Sequence, residues 1–380
     1  MHTLFPHLRA RSGSLPAKNQ SEPPTFRSAV RVRQRFAPLQ GSGREGAPPD
    51  VGGRGYPSQK GILGSTRSRR MVPIRRFVTV DALNCHRVFG LLDPDQFRAC
   101  FQQFMARFAE SLQGVVAIDG KALRHSFDTA NAKSALHMVS AWGCEQRLVL
   151  AQIATDEKSN EITAVPKLLE MLSLKGCIVT VDALNCQRNI ARQIVDQGGD
   201  YALALKGNQG TLHADVSTFL DDPVVAKEKT TTTHTMVDAD HGRIETRTAT
   251  VSTDIAWLQE LHQWPGLAAI AKIDRIRELP TKTTTETAYY LLSTPVSAER
   301  CNEVVRSHWG IENRLHWRLD VIMNEDQARN RKGNGPYNLA ILRHMALNSM
   351  QKDKAKVSLR GKFKKAAWDD AYLARLLTQF

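Results

Sequence analysis

The chain reads as an α/β protein built around a mixed sheet, and three observations predict this class. Two short apolar runs each close on an aspartate, Val115-Val116-Ala117-Ile118 on Asp119 and Ile178-Val179-Thr180-Val181 on Asp182. The second run leads into a helical pattern with Ile190, Ile194 and Val195 on one face, then a Gly198-Gly199 stop and a strand from Tyr201 to Leu205. That order is a β-α-β unit, whose strands lie parallel. Candidate strands at 136 to 143 and 147 to 154 are close enough in sequence to form an antiparallel hairpin, so one sheet carries both kinds of pairing.

From the N-terminus, residues 1 to 76 are rich in Arg, Pro, Gly and Ser without a sustained period of 2 or 3.6, which predicts a disordered tail. Within it, Gly41-Ser42-Gly43-Arg44-Glu45-Gly46 matches a dinucleotide-binding pattern by chance, since it follows no strand and runs into Ala-Pro-Pro. The decapeptide Val78 to Arg87 then recurs at Val179 to Arg188 with only His86 replaced by Gln187. Near-identity in two copies points to a duplication or recombination scar, because solenoid repeats recur regularly and more loosely. The β-α-β context that follows Asp182 does not follow Asp81, so Asp81 is set aside as a further ligand; a helical segment from Val88 to about Leu112 comes instead.

The body from 113 to 350 continues with a helix at 161 to 173, a strand at 177 to 182, a helix at 187 to 197 and a strand at 201 to 206. Thr-rich, β-favouring text fills much of a stretch at about 210 to 297, at Thr230 to Met236, Ile244 to Val251, Ala268 to Ile276 and Ala288 to Ser293, with a short helix near Ile255 to Leu261. It predicts a β-rich insertion between Asp182 and the next acidic candidate, Glu312. From 298 the pattern is helical again, and 351 to 380 reads as a basic helical segment.

The net charge of +14 looks like a nucleic-acid footprint until it is located: residues 1 to 76 hold 15 Lys and Arg against 3 acids, and the rest holds 37 against 35. Global basicity therefore says little about the body. Residues 329 to 365 are the exception, with eleven Lys and Arg against Asp353 alone, which suits either a phosphate-contacting patch or a solvated helix. Six dispersed cysteines without zinc spacing, no long apolar run and no secretory leader predict a cytoplasmic protein with reduced thiols. The Arg-rich start imitates an organellar transit peptide, but its Pro and Gly interruptions oppose an amphipathic helix.

An aspartate at the carboxyl end of a central strand projects into the crevice where open α/β sheets bind ligands, although an Asp that merely caps the following turn is an equally good reading of either site alone. Two such carboxylates and Glu312 form an oxygen donor set of the kind that holds a pair of Mg²⁺ ions for phosphoryl transfer. Around Glu312, the residues Ile311, Leu315, Leu319 and Ile322 form an apolar stripe at helical spacing, with His308, Glu312 and His316 on the adjoining row. That row lacks the spacing of a zinc helix. Asn313 and Arg314 are placed to contact phosphate or sugar, while Trp309 and Trp317 are read as core more readily than as base-stacking platforms. Lys206-Gly207-Asn208-Gln209, after a strand, and the Arg243 to Arg247 segment, at the start of one, have the composition of backbone-contacting loops. No G-x-S-x-G elbow is present to support a serine hydrolase.

Five segments in this order resemble transposases of the ISAs1 group, related to the H-repeat-associated proteins and to the wider DDE transposases: Ala117-Ile118-Asp119-Gly120-Lys121, Val181 to Asn185, Asp200 to Gln209, His241 to Arg247, and His308 to Val321. The similarity spans roughly residues 86 to 380. It implies an RNase H-like mixed sheet flanked by helices, Asp119, Asp182 and Glu312 as the metal-binding catalytic triad, and two Mg²⁺ or Mn²⁺ ions. It also implies cleavage and strand transfer at element ends by a homodimer on DNA. Candidate DNA contacts carried by the resemblance and by the residues above are Lys121, Arg188, Lys206, Asn208, Gln209, Arg243, Arg247, His308, Trp309, Asn313, Arg314 and His316. Val305, His308 and Leu319 stand where related DDE enzymes carry Tyr, Arg and Lys, a difference between subgroups. Residues 77 to 112 resemble only the later part of the family's N-terminal helical region, so residues 1 to 85 are read as brought in by recombination or a misplaced start. That leaves three readings open: an active transposase, a nuclease without strand transfer, and a non-catalytic DNA-binding derivative.

Overall fold

The structure, a computed structural model, describes residues 82–106, 113–155, 161–228, 230–240 and 242–378. The expected tail at 1 to 76, Asp81 and the first residues of the duplicated decapeptide lie outside them. All the described residues belong to one compact unit, Met71–Phe380.

Its centre is a set of three parallel strands whose β-branched and Leu-rich runs are buried on both faces. β1 (Gly114–Ala122) pairs with β4 (Cys177–Val181), and β4 pairs with β5 (Asp200–Leu205). On the other side of β1 lies the predicted hairpin, β2 (His137–Gly143) and β3 (Leu148–Thr155), antiparallel throughout. The order β3-β2-β1-β4-β5 is the RNase H-like core that the resemblance implied.

The insertion supplies four long strands, β6 (Thr231–Asp240), β7 (Arg243–Ser252), β8 (Ala269–Leu279) and β9 (Lys282–Leu292). They do not form a separate layer: β9 hydrogen-bonds to β5, so the inserted strands extend the core into one nine-stranded sheet ordered β3-β2-β1-β4-β5-β9-β8-β7-β6.

α1 (Ala82–Leu91) and α2 (Pro94–Ala106) precede β1, and α3 (Glu161–Leu169), α4 (Arg188–Asp196), α5 (Gly210–Asp221) and α6 (Ala256–His262) run between the strands. After the sheet come α7 (Ala298–Gly310), a π-helical turn at Ile311–His316, α8 (Trp317–Val321), α9 (Gly335–Lys352), α10 (Leu359–Trp368) and α11 (Asp370–Thr378). None of the helices in the described residues is long and apolar enough to cross a membrane.

Two apolar clusters meet at the sheet. One joins Phe101 of α2, Val165 and Leu168 of α3 and Ile190 and Ile194 of α4 to Val116, Ile118, Val179 and Leu203. The other lies under α7, where Cys301, Val304 and Val305 pack on Ala202, Ala249, Ala269 and Ala271; small residues there let the helix approach the strands closely.

Buried asparagines of α9 anchor it. The Asn348 side chain pairs with both backbone groups of Val149 at 2.9 and 2.8 Å. Asn338 donates to Phe89 O and Leu92 O at 2.8 and 3.0 Å, fixing the end of α1. The basic stretch at 329 to 365 is partly turned inward: Arg331 donates to His125 O, Arg343 stands 3.6 Å from Glu325, and Lys362 is buried against Met350 O. These three cations are engaged within the protein, which neither the phosphate-patch nor the solvated-helix reading of this stretch foresaw.

Candidate active site

The register Ile118↔Val181 closes the parallel β1–β4 pairing, so Asp119 and Asp182, the next residue in each chain segment, come side by side where that pairing ends. Asp119 is still in strand, opposite Ser140 of β2. Asp182 leaves the strand and caps the 3₁₀ turn Ala183–Asn185; its Oδ1 accepts from Asn185 N at 3.1 Å and from Asn185 Nδ2 at 2.9 Å. The capping reading of this aspartate thus holds, and it occupies one carboxylate oxygen.

Glu312 arrives on a helix that is not regular. Ser297 caps α7 by accepting from Arg300 N at 3.1 Å, and the helix then widens into the π turn before resuming as α8. Single π turns inside helices recur at functional sites because they re-aim side chains. Ile311, Leu315 and Leu319 are buried and hold the helix down, while Glu312 is exposed beside them. The flanking histidines of the row reach down to the two strands. His308 Nδ1 is 2.9 Å from Thr180 Oγ1, two residues before Asp182, and His316 Nδ1 is 3.7 Å from Asp119 Oδ2. Lys121 clamps the helix from below: its Nζ lies 2.7 Å from Asp320, 3.3 Å from Glu325 and 3.2 Å from Asp326, tying β1 to the segment that follows Glu312.

A fourth carboxylate, which sequence reasoning missed, stands behind this group. Glu161, in the first turn of α3, is 1% exposed. Its Oε1 is 2.5 Å from His137 Nε2 and its Oε2 accepts from Asn185 Nδ2 at 3.1 Å. No motif marks it. Its one local signal was an acid opening a helix just after a hairpin.

The electrostatics are those of crowded anions. Burial, and then the charges of Asp182, Glu161 and Glu312, push the Asp119 carboxyl up to about 7, against a backbone hydrogen bond at Gly120 that lowers it. Burial raises Glu312 as well. The histidines supply no compensating charge: burial, then Lys121, His137 and His308, drives His316 down to about 3, and burial lowers His308 despite the pull of Asp182. Among the described residues no three His, Cys, Asp or Glu side chains are gathered tightly enough to grip an ion as they stand. The donor chemistry nonetheless suits a hard divalent cation: oxygen ligands only, an excess of negative charge, and neutral imidazoles around it.

The candidate DNA contacts divide by what they touch. Asn208 Nδ2 donates to Ala183 O at 2.7 Å and Gln209 Nε2 to Cys186 O at 2.9 Å, so these two brace the loop after Asp182. Lys121, His308 and His316 are likewise engaged inward. Lys121 Nζ is shared among three carboxylates, His308 Nδ1 lies against Thr180, and His316 Nε2 is buried. Lys206 is exposed, and Arg188, also exposed, stacks over Trp264 at 5.1 Å.

The other five, Arg243, Arg247, Trp309, Asn313 and Arg314, converge on one cleft of about 710 Å³ whose lining includes none of Asp119, Asp182 and Glu312. Seven arginines and three glutamates line it, which leaves a positive surface suited to a polyanion. Trp309 is 40% exposed beneath Arg275, and Trp317 is 55% exposed. The preference for core at both tryptophans is therefore overturned: the buried stripe of Ile311, Leu315 and Leu319 faces the sheet and leaves their rings outside.

Comparison with known proteins gives the chain a family. A family model described as "Transposase DDE domain" matches residues 89–349. The "H repeat-associated putative transposase YhhI" of Escherichia coli K12 is 40% identical over 301 residues, covering 77% of this chain and 79% of that protein. "Putative transposase YncI" of Escherichia coli O157:H7 is 38% identical over 297 residues, covering 77% and 76%. A piggyBac transposase structure, a synaptic complex with hairpin DNA, aligns over 80% of this chain and 64% of the other at 9% identity and a TM-score of 0.34. The chain belongs to the DDE transposases.

Proposed function

We propose that the chain cuts DNA at the ends of an insertion sequence and joins those ends to a target, with Asp119, Asp182 and Glu312 as its catalytic carboxylates. The observation that carries this reading is the side-by-side placement of two aspartates on adjacent parallel strands, faced by a helix presenting a glutamate. These three would hold two divalent ions, Mg²⁺ or Mn²⁺. Bound there, the ions supply charge neutralisation of the phosphate and acidification of the attacking hydroxyl.

The protein's own groups do the rest. Asn185 fixes Asp182 through Oδ1. Lys121 sets the height of the Glu312 helix over β1. In the first step a water oxygen bonds to phosphorus as the 3′-oxygen of the broken strand leaves and takes up a proton. In the second that 3′-hydroxyl attacks a target phosphodiester, releasing another 3′-oxygen, so bonds made and broken balance. The arginine-lined cleft beside the helix is the path for DNA phosphates outside the scissile one. A homodimer on DNA, required to bring two ends together, belongs to the same proposal.

The test is a plasmid carrying the DNA that flanks the gene on both sides, incubated with purified protein and Mg²⁺. Nicking that needs the metal, and joining of the cut ends to a second plasmid, are expected. Nicking retained by Asp182→Asn would refute the assignment, and cleavage without joining would reduce it to a nuclease.

A further inference from the structure

The carboxylate of Glu161 touches nothing outside the protein, yet it lies one side chain from Asp182. Asn185 is fully buried, and its amide nitrogen donates to two carboxylates at once: to Asp182 Oδ1 at 2.9 Å and to Glu161 Oε2 at 3.1 Å. An amide has two N–H bonds, so both are spent. The orientation of that amide is therefore fixed, because the flipped form would set its oxygen against two carboxylate oxygens. The Asn185 Oδ1 atom is left buried without a partner. Leaving a buried acceptor unmade costs about 1 to 3 kcal/mol, which the structure sustains to keep both N–H groups on the acids.

Beyond Glu161 the chain of contacts continues to His137 Nε2 at 2.5 Å. Gly120 closes the assembly from the other side. A Cβ built there would meet Glu161 Oε1 and His137 Nε2 at 2.3 Å each, so the residue after Asp119 has no room for a side chain. β1, β2, α3 and the turn after β4 thus interlock at one buried carboxylate.

We infer that Glu161 is a positioning residue for the candidate metal centre: through Asn185 it holds Asp182 Oδ1 in place and so sets how the second aspartate presents its remaining oxygen. The inference rests on the metal-binding reading of Asp119 and Asp182 given above. Partners of this kind behind a metal ligand change metal affinity by about 10- to 100-fold when removed. A purely structural buried acid would change stability and leave affinity alone.

The experiment measures Mn²⁺ binding to the DNA-free, full-length protein by titration calorimetry, beside thermal unfolding in EDTA. Glu161→Gln, which keeps one acceptor and opposes an NH₂ to one of the two donors, should weaken Mn²⁺ at least 10-fold. Asn185→Ala should do the same, and the double variant should be no weaker than the worse single one, because both act along one route. Unchanged affinity in either folded single variant, or additive losses in the double, overturns the inference. Should Glu161→Gln fail to fold, Glu161→Asp, which draws the acceptor back from Asn185 by one methylene, decides by the same criterion. Asp182→Asn separates the two levels: if it binds Mn²⁺ like the parent protein, the metal reading fails, whereas loss there with full binding in Glu161→Gln sinks only the positioning role.

Discussion

Ala82 to Arg87 and Ala183 to Arg188 spell the same six residues except for His86 against Gln187, and they adopt different backbones. In the first copy the whole stretch is α-helix, the opening turns of α1. In the second, Ala183–Asn185 is a 3₁₀ turn, Cys186 and Gln187 are non-helical, and the α-helix starts only at Arg188. Local preference is equal in the two places, so the surroundings decide. Around the second copy Asp182 takes the cap, Asn185 is drawn between two acids, and Asn208 and Gln209 hold the carbonyls of Ala183 and Cys186. A run that is α-helical in one place becomes a 3₁₀ turn in the other, where four side chains pull on it.

The largest test of that difference is functional. Asp182→Asn should lower metal-dependent nicking by on the order of 10³-fold or more, while Asp81→Asn, in the same local sequence, should leave it within about twofold; equal losses in a plasmid-nicking assay would erase the distinction. Next in size is the packing around the turn. Gly120→Ala forces a Cβ into Glu161 and His137 and should destabilise by about 1 to 3 kcal/mol, read as a lowered denaturation midpoint with loss of nicking; an unchanged midpoint would mean that the interlock is slack.

Charge crowding beside the second copy has a definite sign. The Asp119 carboxyl is raised from 3.8 to about 7 in the folded protein, so the folded state holds an extra proton between those values. Stability in EDTA is therefore greatest below about pH 4 as far as this group is concerned, and falls as pH rises through 7. The full loss is on the order of 4 kcal/mol, of which the step from pH 5 to 8 carries about 3. Asp119→Asn should abolish that decline in urea unfolding at pH 5 and 8, and a divalent cation should offset it in the parent protein. A parent curve flat with pH would contradict the crowding. The smallest effect is expected from making the copies identical. Gln187 donates to Leu184 O at 3.0 Å, and Gln187→His should cost less than about 1 kcal/mol; a larger drop in midpoint would show that this one difference helps select the turn.

These contacts also explain how far the sequence could be read. The strands of the core, the hairpin, the β-rich insertion and the two aspartates follow from apolar period and strand ends, all local signals. Glu161 did not, because it is 24 residues from both His137 and Asn185 and nothing near it in sequence hints at either. Lys121 reads locally as a phosphate contact, yet its partners lie some 200 residues on. Trp309 and Trp317 fit a core pattern, but the sheet has room for only one stripe of the helix, and Ile311, Leu315 and Leu319 fill it. That β9 would join β5 depended on strand pairing across the whole insertion, which period cannot report.

The π turn carries a consequence for how this helix tolerates change. A regular helix advances about 100° per residue, so His308 and His316, eight positions apart, would drift about 80° out of line. The wider turn advances less per residue and draws both back toward the aspartate pair, with Glu312 midway. The helix behaves like a dial whose reading depends on residue count more than on residue type. Removing one residue between 308 and 316 would rotate everything beyond it, including Asp320 on the Lys121 clamp, and no side-chain substitution would turn it back.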